Sequence, residues 1–557
     1  MILPRRVYRK SSSGRAGAFA VPGACDDPAI RRNQLGAGAG GPQGWRVSVD
    51  KGMSRESRIE QLRERGAVLA MEAGEFRALG HALVDRIAGF LETIGERPVT
   101  PAEGPAAVRA ALGAERGLPE EGADGGALLE RAADLLFDHS LLNGHPRFAG
   151  YITSSPAPIG MLGELLAAAV NANAGAWKLS PMASEIEAQV IRWLAELTGY
   201  PAGCGGLLVS GGNMANLTCF LAARAALAGW EIRKQGVAAG PRLSVYASAE
   251  THTWIQKAAD VTGLGTEAIR WIPADARQRM ELGALEAQYR RDVEAGWRPF
   301  LVAGSAGTVS TGAVDPLPEL AEFCRERGLW FHVDGAYGAF AAAVADAPAE
   351  LRALGMADSV AVDPHKWLYA PLEAGCALVR DPGTLMRAFS YHPPYYNFET
   401  EALNYYDLGP QNSRGFRALK IWLALQQAGA RGYREMIGDD MELARRLYTL
   451  AEGHPELEAL THNLSITTFR YVPAEMRGSV GSGPAEEYLN GLNQRVLAAL
   501  EAGGAAFASN ALVNGKYALR FCIVNFRTST SDIEAFPALV TELGRKLHAA
   551  GGWEGGE

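Results

Sequence analysis

Cysteine is scarce and scattered in this sequence. Its six residues (Cys25, Cys204, Cys219, Cys324, Cys376 and Cys522, in 557) form no CxxC pair and no spacing that suits a metal. A long chain without close cysteine pairs reads as a protein with reduced thiols, not as a disulfide scaffold. Long apolar runs are missing as well. No stretch approaches the roughly 18 residues that a spanning helix needs, so no membrane passage is expected. Positive charge is not in surplus: 54 Lys and Arg stand against 62 Asp and Glu, a net of -8. That argues against a nucleic-acid partner, because general binding rests on cations against phosphates. Acid is absent before Asp26, in a start rich in Arg, Ser, Gly and Ala. Such a start has the character of an organelle transit peptide. A dangling tail, or a translation start assigned upstream of Met53, explains it as simply and is preferred. A secretory signal would need an apolar central segment, which is lacking. The protein is therefore expected in the cytoplasm.

What is present is ordinary in bulk, 48% hydrophobic and 21% charged, and the length allows about three domains. Residues 1–68 are expected to be a disordered extension, because segments such as NQLGAGAGGPQG cannot bury apolar surface. Residues 69–149 read as a helical arm. Phe76, Leu79, Leu83, Ile87 and Leu91 make one apolar stripe at three-and-four spacing, and a second helix is expected around Ala127 to Phe137. Such a stripe wants a partner surface, on its own chain or on a second copy. Residues 150–425 alternate short apolar runs with amphipathic helices. Strands are expected at 206–210, 243–248, 300–305, 329–336, 358–362 and 375–381. Apolar strands separated by helices predict a mostly parallel α/β sheet covered on both faces. Residues 426–551 mix helices and strands and read as a smaller α+β domain.

Four segments carry chemistry. In DSVAVDPHKWLYAP, Lys366 follows a strand; a neutral lysine amine there can bond a cofactor aldehyde. Alone, this reads equally as a surface lysine beside a packed tryptophan. In WFHVDGAYGAF, Asp334 ends a strand, where ligands gather in open α/β sheets. A carboxylate there can pair with a pyridine nitrogen, or simply cap the next loop. In LVSGGNMANL, a strand runs through a Gly-Gly turn into a helix, so Ser210, Gly211, Gly212 and Asn213 can cradle a phosphate at the helix N-terminus. No Gly-Lys-Ser/Thr follows this turn, which excludes a Walker loop. His252 follows a strand and opens a helix, placed to stack on a flat ring or merely to cap.

The order of these four, with DPHKW, HVDGAYG and SGGNMANL, resembles the group II pyridoxal-phosphate (PLP) dependent decarboxylases, and most closely their aromatic-L-amino-acid branch. The resemblance runs from about Ala73 to about Glu542. It implies the fold-type I, aspartate-aminotransferase-like architecture and a homodimer in which the helical arm crosses to the partner. It implies that Lys366 bears PLP with His365 beside it, and that Asp334 pairs with the ring nitrogen. Ala336 would lie under the ring and His252 would stack on it. Thr308, Ser359 and the Gly211-Gly212-Asn213 turn would contact the cofactor. Asn is frequent in the family where this chain has Asp363, and an acid near a phosphate is repulsive. Tyr151 and Trp177 match residues lining the substrate pocket, where aromatic walls suit an aromatic side chain; core packing explains them equally. Tyr395 matches the loop tyrosine that protonates the substrate carbon, with Tyr396 leaving the register open by one. Tyr at this position favours simple decarboxylation over aldehyde synthesis, and Ser413 leans towards a phenolic substrate. The expected activity is decarboxylation of an L-amino acid, aromatic by this reading. The alternatives are an aldehyde synthase, a decarboxylase of acidic or aliphatic amino acids, and a non-catalytic dimeric scaffold, which would need neither Lys366, Asp334 nor His252.

Overall fold

The computed structural model describes residues 54–391 and 402–551. The chain divides into two units, one ending at Glu72 and one beginning at Ala73. In the first, Arg55–Gln61 is helical where disorder was expected. The Ser54 hydroxyl accepts the Ser57 N–H at 3.1 Å, and Glu56 lies in the first turn, so cap and helix dipole both favour this short helix.

Among the described residues, the second unit holds two sheets. The larger has seven strands: β1 (Gly205–Val209), β2 (Leu243–Ser248), β3 (Ile269–Ile272), β4 (Arg298–Ser305), β5 (Trp330–Asp334), β6 (Ser359–Val362) and β7 (Gly375–Val379). Their order is β1-β7-β6-β5-β4-β2-β3. The pairs β2/β3, β2/β4, β4/β5 and β5/β6 are parallel, while β7 runs antiparallel to both its neighbours. Six of these strands lie where apolar runs predict them. The seventh, β3, is an edge strand of four residues with Trp271 exposed, too short and too polar to signal itself. Burial of β2 and β6 at every position fits a sheet covered on both faces. Helix Gly212–Leu227 packs on β4 to β7, and helix Leu317–Arg327 on β4 and β5. Gly328 ends the latter at φ 63°, a left-handed cap that glycine adopts readily.

The smaller sheet is antiparallel, with β8 (Leu457–Asn463), β9 (Ile466–Tyr471), β10 (Ser509–Val513) and β11 (Lys516–Cys522) in the order β10-β11-β9-β8. Phe469 and Phe521 stack at 5.0 Å in its core, with Phe536 of helix Thr530–Gly551 against Phe521. Helix Ala418–Glu452, broken at Gly429 (φ 64°), joins the two regions. In the arm, helix Ala73–Thr93 meets helix Gly125–Asp138 through Phe90 stacked on Phe137 at 4.2 Å. Leu79 of the stripe also reaches the second helix, a Cβ on Gly126 lying 3.4 Å from its Cδ2, while Phe76 stays exposed. No helix among the described residues is long and apolar enough to cross a membrane.

Candidate active site

Parallel strands aim their C-terminal ends at one edge of the sheet, where ligands bind in this architecture. The loops after β1, β5 and β6 meet there because the turn between them carries no side chain. A Cβ on Gly212 would lie 2.6 Å from Asp363 Oδ2 and 3.0 Å from Ala336 Cβ, and one on Gly211 would lie 3.1 Å from His365 Cε1. Three motifs distant in sequence are thereby brought to one point. The Gly211 carbonyl accepts the Met214 and Ala215 N–H groups, each at 2.9 Å. The N–H groups of Gly212 and Asn213 precede that first helical bond and face outward as donors for an anion.

Asp334 is the last residue of β5 and half-buried. Its Oδ1 accepts the Ala336 N–H at 3.2 Å, which fixes the carboxylate at the strand end. His252 Nδ1 accepts the Trp254 N–H at 3.2 Å, leaving Nε2 to carry the neutral ring's one proton. Crowding by protein atoms pushes the His252 pKa below the usual histidine value, although the residue as a whole is exposed. The Asp334 carboxylate opposes this shift and the Lys366 ammonium reinforces it, so both lie within electrostatic reach. His252 is therefore a neutral ring at neutral pH.

Lys366 sits in the short helix Pro364–Trp367 after β6 and is half-buried. Its Nζ lies 3.1 Å from Asp363 Oδ2. His365 Nε2 is 3.7 Å from the same oxygen, and its Nδ1 accepts the Ala374 N–H at 3.1 Å. Burial pushes the His365 pKa down. The turn is anchored on both sides. Ser154 Oγ donates to the His365 carbonyl at 2.9 Å. Trp367 is fully buried, stacks on Tyr337 at 5.0 Å, and donates from Nε1 to Asp440 Oδ2 at 2.9 Å, where the Tyr369 hydroxyl also donates at 2.7 Å. Burial raises the Asp440 carboxyl to about 7.

Other expected site residues are engaged by partners of their own. Ser359, expected from the resemblance to contact the cofactor, opens β6, level with His332 and two residues short of the site edge. It is fully buried, takes the Trp330 Nε1–H at 2.8 Å and bonds His332 Nδ1 at 2.8 Å, so it faces no phosphate. Thr308 follows β4 at the correct edge, but its hydroxyl is held by Thr311 Oγ1 and the Ala313 N–H, each at 3.2 Å. Tyr151, at φ 50°, gives its carbonyl to Arg520 Nη1 at 2.8 Å and rests its exposed ring on Phe507. It lies three residues before Ser154, on the segment that passes the Lys366 turn. Trp177 donates from Nε1 to Glu185 at 2.9 Å and from its N–H to Asn404 at 3.1 Å, and has no bond to the Lys366 cluster. Tyr395 and Tyr396 lie outside the described residues. Asp440, Ser154 and Arg520 give no sequence signal, because each acts through a partner far away in the chain.

These residues fit PLP. A half-buried amine can bond its aldehyde, and a fixed carboxylate can face its ring nitrogen. Two glycines and Ala336 leave room for a flat ring, and a helix start can take its phosphate. A seven-stranded α/β sheet with such a lysine after β6 defines the class of fold-type I PLP enzymes. Comparison with known proteins places the chain within it. The pyridoxal-dependent decarboxylase conserved domain matches residues 110–472, so the chain belongs to that family. It is 32% identical over 471 residues to an aromatic-L-amino-acid decarboxylase of Bacillus atrophaeus, covering 84% of this chain and 94% of that one. It is 32% identical over 471 residues to a tyrosine decarboxylase of Oryza sativa subsp. japonica, covering 82% and 88%. The solved Oryza sativa TDC with PLP and tryptamine superposes with a TM-score of 0.80 at 26% identity, over 86% of this chain and all (100%) of that one. Catharanthus roseus tryptophan decarboxylase in complex with L-tryptophan gives 0.77 at 26%, over 86% and 99%. The protein is a PLP-dependent amino-acid carboxy-lyase.

Proposed function

We propose that this enzyme converts an aromatic L-amino acid to its amine and carbon dioxide, with Lys366 bearing the cofactor. The observation that carries the site assignment is the meeting of Lys366, Asp334, His252 and the Gly211-Gly212 turn at one sheet edge. When bound, PLP supplies a sink for the electron pair left as the Cα–carboxylate bond breaks. The chain's own residues do the rest. Asp334 holds a proton on the ring nitrogen. His252, its pKa lowered by the protein atoms around it, covers one face of the ring without adding charge, and Ala336 leaves the other face clear. Gly212 and Asn213 N–H groups, with Ser210 and Gly211, hold the phosphate, and Thr308 borders the ring from its loop. Tyr151 and Trp177 wall the substrate's aromatic group, and Tyr395 returns a proton to Cα.

The aromatic preference draws support from relatives named for aromatic amino acids or their products. A phenylacetaldehyde synthase of Arabidopsis thaliana is also 29% identical over 497 residues. Aldehyde formation is therefore the second reading, and Tyr395 favours the amine. The working unit is a cytoplasmic homodimer with no nucleic-acid or membrane partner. Helix Pro158–Val170 exposes Leu162, Leu165, Leu166 and Val170, an apolar face that a second copy can cover. Light scattering is expected to return twice the chain mass; a single chain mass would contradict the dimer. Lys366→Ala is expected to abolish turnover and the absorbance of lysine-bonded PLP. Turnover retained in that variant would refute the assignment.

A further inference from the structure

Asp363 is 1% exposed, and its carboxylate occupies the centre of the site. One short helical turn carries Lys366 round to face it, with the Lys366 N–H on the Asp363 carbonyl at 2.9 Å. Oδ2 is 3.1 Å from Lys366 Nζ. Oδ1 has no hydrogen-bond partner among the described residues. No side chain separates the carboxylate from the helix start, since a Cβ on Gly212 or Gly375 would come within 2.6 or 2.8 Å of its oxygens. His365 is the other group near Oδ2; burial disfavours its charged form and Ala374 occupies its Nδ1. A buried carboxylate is costly unless paired, so its energy depends on whether Lys366 is a free ammonium.

We propose that Asp363 is a positioning residue that competes with the cofactor for the Lys366 amine. It stabilises every state in which that lysine is free. The enzyme then holds PLP less tightly, and surrenders the lysine to an incoming amine more readily, than with a neutral side chain at 363. This rests on the assignment of Lys366 above. In the exchange, the incoming amine nitrogen bonds the cofactor's aldehyde carbon and the bond from Lys366 Nζ breaks. With the imine nitrogen protonated before and after, two of the incoming ammonium's three protons pass to Nζ, so Lys366 leaves as an ammonium beside Oδ2. No oxidant or reductant is involved.

The test uses holoenzyme and the isosteric Asp363→Asn, with Asp363→Ser as a second way to remove the charge. PLP dissociation constants are measured by titration. Exchange is followed by titrating lysine-bonded PLP with methylamine, too small to depend on the pocket walls. Both variants are expected to bind PLP roughly 10-fold tighter and to need roughly 10-fold more methylamine, the scale of one unit-charge contact near a buried group. In a Lys366→Ala background, where no lysine competes, Asp363→Asn is expected to change PLP affinity by less than about twofold. Unchanged or weaker PLP binding in the Asp363 variants would overturn the proposal. So would an equal effect without Lys366, which would make Asp363 a repulsive charge only. If Lys366→Ala alone keeps the lysine-bonded absorbance, the assignment of Lys366 has failed instead.

Discussion

His332 lies two residues before Asp334 on β5, on the same face of the sheet, and reaches the helix that follows the glycine turn. Its Nε2 bonds Asn216 Oδ1 at 2.7 Å and its Nδ1 bonds Ser359 Oγ at 2.8 Å, so a fully buried polar chain runs from Trp330 to the first turns of the phosphate-facing helix. Burial lowers its pKa to about 4, opposed by Asp334. An unfolded histidine titrates near 6.5 (about). Between those two values the unfolded chain binds a proton that the folded chain refuses, so stability falls as pH falls through that window. The full effect is at most about 3.5 kcal/mol, from roughly 1.4 kcal/mol per unit. His332→Gln, compared by chemical denaturation at pH 7 and pH 4, is expected to lose less stability on acidification than the parent. Equal acid sensitivity would contradict this account. The same residues mark what one sequence could reveal at this scale. Lys366, Asp334 and the glycine turn each follow an apolar run, so their place at a strand end was legible. The role expected for Ser359 came from the resemblance, and the partners that hold its hydroxyl, Trp330 and His332, lie on another strand and leave no local signal. The function of Asp363 was open, because only the structure brings Gly212, Gly375 and Lys366 around it.

At the scale of elements, the site depends on a buried pair that no motif announces. Arg414 and Glu187 are each 1% exposed in their side chains and lie 2.5 Å apart. Arg414 also donates to the carbonyls of Ala174 at 2.9 Å and Leu208 at 2.6 Å, and its guanidinium lies 4.9 Å from the Tyr405 ring. Glu187 takes the Leu208 N–H at 2.9 Å. One pair thus ties the segment before Trp177, the strand feeding the phosphate turn, and the chain after residue 402. Removing one member leaves an uncompensated buried charge, which costs about 3–5 kcal/mol. Arg414→Ala is expected to lose that much in denaturant unfolding, and Arg414→Lys less. A loss below about 1 kcal/mol, the range of exposed pairs, would show the pair to be unimportant. The partners are 227 residues apart, and such pairings leave no local periodicity to read. The strands and helices did leave one, and β3 escaped because four residues at an edge carry too little of it.

At the scale of the whole molecule, the family's match over residues 110–472 and the seven-stranded sheet agree with the architecture expected from the spacing of strands and helices. Substrate choice is a finer matter, because it rests on a few pocket side chains and not on the fold. The most direct measurement is product detection after PLP-loaded enzyme is incubated with L-Tyr, L-DOPA, L-Trp, L-Phe, L-His, L-Glu and L-Asp. The account predicts aromatic amine and carbon dioxide in equal amounts, without aldehyde or peroxide. Aldehyde with peroxide, or activity confined to Glu and Asp, would contradict it.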